Sequence, residues 1–176
     1  MPTRSPNKPV FVLDRLQVAI GTMLVVTDAE GRLRALDWDD CESRMHRLLR
    51  LHYGPEGVDL REGSMPARVH DVLEAYFGGA LAAIETVPVA TGGTAFQQEV
   101  WTALRAIPAG ETRSYGALAS TIAHPLAVRA VGLANGANPI GVVVPCHRVI
   151  GKNGALTGYA GGIERKRWLL THEASC

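Results

Sequence analysis

Cysteine is scarce in this sequence of 176 residues: the three that occur, Cys41, Cys146 and Cys176, lie far apart. An odd, scattered set argues against a disulfide framework and is typical of a reducing compartment. Structural zinc needs about four Cys or His ligands in recognisable pairs, which this sequence lacks. Apolar runs stay far below the roughly 18–20 residues of a membrane span, and residues 1–9 lack the apolar core of a secretory signal. We therefore expect a cytoplasmic protein without bound metal.

The chain as a whole also lacks a large excess of positive or negative charge, since its formal net charge is +1. The charges are unevenly divided, because residues 1–96 contain 10 Lys/Arg against 13 Asp/Glu, whereas residues 97–176 contain 8 against 4. The basic C-terminal half suggests a surface for an anionic partner, although ordinary solvated surfaces also carry such a surplus. With 47% hydrophobic residues, the composition fits one domain or two small ones that share a core.

The N-terminal half has the pattern of an α+β fold. Two apolar-rich runs, 23–28 and 32–38, are joined by a short turn and predict a hairpin within an opening β-meander. Two helices are predicted next, at 40–52 and 64–77. Asp40 and Ser64 are expected to cap their N-termini. Residues 86–93 then predict a short strand that leads into a linker.

The C-terminal half is predicted to be mainly helical. Thr94 and Gln97 have the spacing of a capping box, and the helix that follows carries apolar side chains on one face: Phe96, Val100, Leu104 and Ile107. Ser114 is expected to cap a second helix to about residue 122, and a third helix spans 127–135. In the third helix we expect Val128, Val131 and Ala134 to face the core and Arg129 to point away. This spacing predicts a helix-turn-helix, a unit that occurs as often outside DNA-binding proteins.

A cysteine beside a histidine is the strongest chemical signal in the chain. The apolar run 140–144 predicts a buried strand that ends at Pro145-Cys146-His147-Arg148, before a glycine-rich loop at 151–162 and a last helix at 163–172. A thiol becomes a useful nucleophile when a neighbouring group favours its thiolate. Taken alone, however, such a dipeptide more often marks a buried cysteine next to a loop histidine.

The surrounding motifs favour the nucleophile. The segment Val144-Pro145-Cys146-His147-Arg148-Val149-Ile150 resembles the active-site signature of the O6-alkylguanine-DNA alkyltransferases. Further motifs match that family in the same order and spacing, at 96–101, 107–116, 129–132, 135–139, 158–162 and 169–173. The resemblance is dense over residues 94–173 and looser in the N-terminal half, where the hairpin is similar to that of bacterial members.

The resemblance implies a two-domain, stand-alone protein of the bacterial type. A flexible tail at 1–9 precedes an N-terminal ribonuclease-H-like α/β domain at 10–85, and a linker at 86–93 leads to the helical domain. That domain, at 94–176, holds the helix-turn-helix and the active site. Some animal members bind zinc in the N-terminal domain, but Cys41 is the only cysteine in that half here.

The resemblance also implies a reaction and a set of catalytic residues. An alkylated guanine is flipped out of the duplex, and its O6-alkyl group passes irreversibly to Cys146 in one SN2 turnover without a cofactor. His147 takes the thiol proton through a water and is oriented by Glu173. Tyr115 supplies a proton to the guanine, and Asn138 braces the turn before the active-site strand.

The same resemblance assigns binding residues. Arg129 corresponds to the finger that enters the base stack from the minor groove, with Tyr115 near the phosphate of the flipped nucleotide. The other DNA-facing residues are Ala127, Ala130, Gly132, Ala134 and Asn135. The substrate pocket is lined by Tyr159, Ala160, Val149 and Pro145.

Several alternatives stay open. We expect double-stranded DNA as the partner and a monomeric protein. Whether O4-alkylthymine is also a substrate, and whether molecules assemble cooperatively on DNA, is undecided. A non-catalytic DNA-binding regulator would leave Cys146 without a purpose. A cysteine hydrolase using Cys146 and His147 would turn over repeatedly and ignore DNA.

Overall fold

The protein is a mixed α/β molecule built on a four-stranded sheet. The computed structural model describes residues 8–176, so most of the tail proposed at 1–9 lies outside the described residues. The strands β1 (Val10–Val18), β2 (Gly21–Thr27), β3 (Leu33–Trp38) and β4 (Asp59–Glu62) take the order β3-β2-β1-β4. β1, β2 and β3 pair antiparallel, which confirms the predicted hairpin and meander, while β4 adds a parallel edge strand that the sequence did not predict.

Two helices belong to this half: α1 (Glu42–Tyr53) and α2 (Ala67–Phe77). Both predicted N-terminal caps are wrong. Asp40 lies in a 3₁₀ turn (Asp39–Cys41) before α1, and its carboxylate binds the Arg165 guanidinium at 2.8 Å instead of capping the helix. Pro66 occupies the N-cap position of α2 in place of Ser64, because the residue before a proline is kept out of the helical region, so the helix does not begin at Met65.

The sheet is covered on both faces. Alternation along β2 sends Leu24 and Val26 towards α1, where they pack with Met45 and Leu49. Met23 and Val25 point to the other face, into a core shared by α2 and the C-terminal helices. The main core is therefore continuous from the sheet into the C-terminal half.

The segment predicted as a strand at 86–93 is not one. Thr86, the first residue of this segment, is the last residue of a 3₁₀ helix (Leu81–Thr86). The chain then runs extended and makes a single parallel bridge between Val89 and Leu33. The amide of Leu33 donates to Pro88 at 2.9 Å, and Ala90 donates back to Leu33 at 2.9 Å. The segment therefore touches the outer edge of β3 without adding a full strand.

Four helices dominate the C-terminal half: α3 (Ala95–Arg105), α4 (Tyr115–Thr121), α5 (Val128–Gly136) and α6 (Ile163–Ser175). The predicted capping box of α3 is confirmed, with the Gln97 amide donating to the Thr94 hydroxyl at 3.1 Å and the Thr94 amide to the Gln97 side chain at 3.0 Å. Ser114 caps α4 as predicted, accepting from the Ala117 amide at 3.0 Å.

Two details of these helices differ from the sequence prediction. Val128 is 39% exposed, not in the core, because it is the first residue of α5, whereas Val131 and Ala134 are buried as expected. α6 continues past residue 172 to Ser175, which places Glu173 inside the helix. Two short strands, β5 (Arg113–Ser114) and β6 (Val149–Ile150), pair in parallel beside α4. Within residues 8–176, no helix is long and apolar enough to cross a bilayer.

Candidate active site

The segment before Cys146 is a buried turn, and the strand predicted at 140–144 is wrong. Ile140 makes one bridge to Leu36, after which the chain turns so that the Val144 amide donates back to the Ile140 carbonyl at 3.0 Å. Val142 adopts φ 67°, a left-handed conformation that is costly for a β-branched residue. The side chain of Asn138 ties the turn together, donating to the Val144 carbonyl at 2.8 Å and accepting from the Ile140 amide at 3.0 Å.

Cys146 follows this turn as the first residue of a 3₁₀ turn, Cys146–Arg148. Its side chain is only 8% exposed. Burial raises the pKa of the thiol, while the nearby Asn138 amide and the more distant cations of Arg44 and Lys166 oppose that rise. The resting thiol is therefore protonated at neutral pH, and it needs a base to become a nucleophile.

A base lies next in the chain. His147 is fully buried, and its Nε2 lies 2.7 Å from Oε1 of Glu173. Burial lowers the pKa of His147, although the Glu173 carboxylate opposes the shift, so the ring is neutral at rest. The other ring nitrogen, Nδ1, is buried without a hydrogen-bond partner among the described residues. Because Glu173 holds Nε2, Nδ1 is the atom free to accept a proton.

Glu173 is the centre of a buried hydrogen-bond network. Arg148 reaches both of its oxygens, with Nε 2.9 Å from Oε2 and Nη2 2.8 Å from Oε1, and the Tyr76 hydroxyl donates to Oε1 at 2.7 Å. Burial alone would raise the pKa of Glu173, but the hydrogen bonds from His147 and Arg148 hold it well below its usual range. The carboxylate is therefore ionised at every physiological pH.

A cavity of about 230 Å³ opens above the thiol. Its lining includes Cys146 and five of the residues that the resemblance assigned to the site: Tyr115, Gly132, Asn135, Tyr159 and Ala160. It also includes three residues without an assigned role: Arg44, Gly136 and Gly158. Pro145 and Val149 are buried nearby but do not line the cavity. The cavity thus opens onto Cys146.

Comparison with known proteins places this site in a family. The DNA-binding domain of 6-O-methylguanine DNA methyltransferase, as a family model, matches residues 95–175. The methylated-DNA–protein-cysteine methyltransferase of Salmonella typhimurium is 54% identical over 160 residues, covering 91% of this chain and 94% of the relative. The chain belongs to the methylated-DNA–protein-cysteine methyltransferase family.

Solved structures agree with this membership. The Mycobacterium tuberculosis O6-methylguanine methyltransferase matches with a TM-score of 0.75 and 42% identity, over 94% of this chain and 92% of its own. Mycobacterium tuberculosis OGT in complex with DNA matches with a TM-score of 0.76 and 43% identity, over 94% and 93%.

In this methyltransferase-family chain, α5 has a buried face and an exposed face. Arg129 and Ala130 are exposed, and Ala127 is partly buried just before the helix. Ala134 and Asn135, assigned from sequence to the DNA-facing set, are 3% and 6% exposed, and the Ala134 carbonyl accepts from the Trp101 indole at 2.9 Å. Asn135 faces the cavity instead.

The site also includes side chains from the N-terminal half that the sequence analysis did not identify. Arg44, on α1, pairs with Asp37 at 2.7 Å and donates to the carbonyls of Gly136 at 2.8 Å and Asn138 at 3.1 Å. Burial raises the pKa of Asp37 despite this partner. Arg44 therefore links the sheet to the end of α5 and to the cavity.

A buried lysine holds the glycine-rich loop beside the cavity. Lys166 is fully buried on α6, and its Nζ donates to the carbonyls of Val149 at 2.6 Å and Thr157 at 3.1 Å. Burial lowers its pKa. The same Thr157 carbonyl accepts from the Tyr115 hydroxyl at 3.3 Å, and burial raises the pKa of Tyr115. Lys166 thus fixes the loop that Tyr115 touches.

Proposed function

We propose that this protein repairs alkylated DNA by moving the alkyl group of an O6-alkylguanine onto the sulfur of Cys146. The observation that carries the proposal is the buried Cys146 thiol at a cavity, next to a neutral imidazole that is held by an ionised carboxylate. Family membership supports the same chemistry. The protein acts on DNA, and it needs no cofactor because the damaged base is itself the alkyl donor.

The reaction is an SN2 displacement at the alkyl carbon. The thiol proton of Cys146 passes through a water to Nδ1 of His147, the ring atom that lacks a partner among the described residues. The thiolate attacks the alkyl carbon, a C–S bond forms, and the bond from carbon to O6 breaks with its electron pair on the guanine. Tyr115 supplies the proton that neutralises the guanine, for which its hydroxyl must leave the Thr157 carbonyl, and the proton taken up by His147 then returns through water to the Tyr115 phenolate.

Each molecule acts once. The product is a thioether, which has neither a good leaving group nor a hydrolytic route under cellular conditions, unlike the thioester of a cysteine hydrolase. A regulator without chemistry would transfer no group, and a hydrolase would turn over many times. The stoichiometry of transfer therefore distinguishes the three possibilities.

DNA binding is proposed for the surface formed by α4 and α5, as a helix-turn-helix whose second helix enters the minor groove. The exposed Arg129 supports this, since it stands on the face of α5 opposite the buried Val131. Flipping a base out of the stack costs a few kcal/mol, and an inserted side chain offsets part of that cost. We further propose a monomer, with a ribonuclease-H-like N-terminal domain at 10–85 and the linker at 86–93.

The experiment is to count alkyl groups transferred per protein from a duplex that contains labelled O6-methylguanine. We expect one group, mapped by mass spectrometry to Cys146. The Cys146→Ser variant should bind the duplex but accept no label, whereas Cys41→Ser and Cys176→Ser should label normally. Substantial labelling of the Cys146→Ser protein would refute the assignment.

A further inference from the structure

One oxygen of Glu173 accepts three hydrogen bonds, and one of these comes from the N-terminal half of the chain. Oε1 lies 2.7 Å from His147 Nε2, 2.8 Å from Arg148 Nη2 and 2.7 Å from the hydroxyl of Tyr76 on α2. His147 and Arg148 follow the nucleophile directly, but Tyr76 is 97 positions away from Glu173. No part of the reaction proposed above uses Tyr76.

The Tyr76 ring is fixed in place. It is fully buried, and it makes edge contacts with the rings of Phe77 and His172 at 5.1 Å and 5.4 Å between centroids. Nε2 of His172 also lies 2.8 Å from the Tyr76 carbonyl, so α6 contacts both ends of this residue. Burial and the Glu173 charge raise the pKa of Tyr76, which makes its hydroxyl a permanent donor and not a proton carrier.

A carboxylate with this set of donors has one favourable orientation. Arg148 Nε binds Oε2 at 2.9 Å, while Oε1 must face His147 and Tyr76 together. Hydrogen bonds to a charged acceptor are short and directional, and networks of them rigidify a buried site. Without the Tyr76 hydroxyl, only Arg148 would hold Oε1 in place beside His147 Nε2, so the position of that oxygen would be less tightly fixed.

We propose that Tyr76 is a positioning residue for the alkyl transfer: it holds Glu173 Oε1 against His147 Nε2, so that Nδ1 of the imidazole, which has no partner among the described residues, stays free to take the thiol proton. The N-terminal half thereby contributes to the proton relay. The proposal rests on the proposed function for its kinetic consequence, but the orientation of His147 is measurable without any transfer.

The test is Tyr76→Phe, which removes one oxygen and keeps the ring. We expect alkyl transfer to slow about tenfold, both from a methylated duplex and from free O6-benzylguanine, because one hydrogen bond to a charged group is lost and both substrates use the relay. Affinity for the duplex should not change. The ring nitrogens of His147, followed by ¹⁵N NMR, should titrate at lower pH, because a carboxylate held less firmly against Nε2 stabilises the imidazolium less.

Tyr53→Phe is the matched control. Its hydroxyl also lies in the N-terminal half and accepts from Arg34 Nη1 at 3.2 Å, away from the relay, so neither transfer nor the His147 titration should move. Suppose that Tyr76→Phe lowers the melting temperature while the rate of alkyl transfer and the His147 spectrum stay as in the parent protein. In that case the residue is merely structural and the proposal is wrong. Slower transfer from the duplex alone would also overturn it. Should the parent protein transfer nothing, the proposed function fails, while the His147 titration still decides the positioning role.

Discussion

Glu173→Gln is the substitution whose cost the structure defines best. The residue is 2% exposed, and its partner Arg148 is 3% exposed. Glutamine keeps the size of the residue but removes the charge, which leaves the Arg148 guanidinium buried without a counter-ion. Breaking a buried ion pair by removing one partner costs about 3–5 kcal/mol. We expect the free energy of unfolding to fall by that amount, a large part of the roughly 5–15 kcal/mol that holds a domain together.

The pH dependence gives the sign of the effect. Because hydrogen bonds hold the pKa of Glu173 below its usual range, its stabilising contribution is complete above the unfolded-state pKa of about 4.3 and is lost as pH falls towards the folded-state value. The difference between the parent and the Gln variant should therefore be largest at neutral pH and shrink in acid. Urea unfolding at pH 7 and at about pH 3, clearly below the unfolded-state pKa, measures it.

Two further measurements separate stability from chemistry. Adding Arg148→Met to the Gln variant removes the unpaired cation, so part of the lost stability should return. Transfer should remain slow, by about a hundredfold, because His147 lacks its carboxylate in both variants. A stability loss below about 1 kcal/mol, the size of an exposed ion pair, would refute the reasoning. So would a loss that does not vary with pH.

Three other substitutions test the remaining parts of the site. Arg129→Ala should slow transfer most on a fully paired duplex and hardly at all on free O6-benzylguanine, and equal losses would contradict a role in base flipping. Leu133 is 69% exposed and lies one turn beyond Arg129, so it should contact DNA through apolar surface. Leu133→Ala should therefore weaken duplex binding about fivefold without changing its salt dependence. The control Leu51→Ala, at 68% exposure on α1, should change neither the affinity for the duplex nor its salt dependence. Arg44→Met should cost about 3 kcal/mol in urea unfolding at pH 7 and less in acid, where protonated Asp37 needs no partner.

Local signals in the sequence predicted local structure well. The Thr94–Gln97 capping box and the Ser114 cap involve residues three positions apart, and both form as expected. Asp40 fails as a cap because a distant guanidinium, that of Arg165, competes for its carboxylate. Capping spacing is therefore reliable only where no tertiary partner intervenes.

The apolar run at 140–144 shows a different limit. Its composition correctly indicates burial, but burial does not determine backbone conformation. The turn depends on the Asn138 side chain and on a left-handed Val142, and neither is encoded in the periodicity of the run. Within the site, the resemblance identified Cys146, His147 and Glu173, whereas the positions of Tyr76 and Arg44 depend on contacts between residues more than 90 positions apart.

The continuous core has a consequence for exchanging parts between members of this family. Tyr76 meets Glu173 and Arg44 meets the end of α5 across the boundary that the sequence places at 86–93. A chimera that joins the first half of one member to the second half of another must therefore match these pairs as well as the apolar surfaces. Substitutions on one side of the boundary restrict those tolerated on the other, so the two halves are expected to change together in evolution.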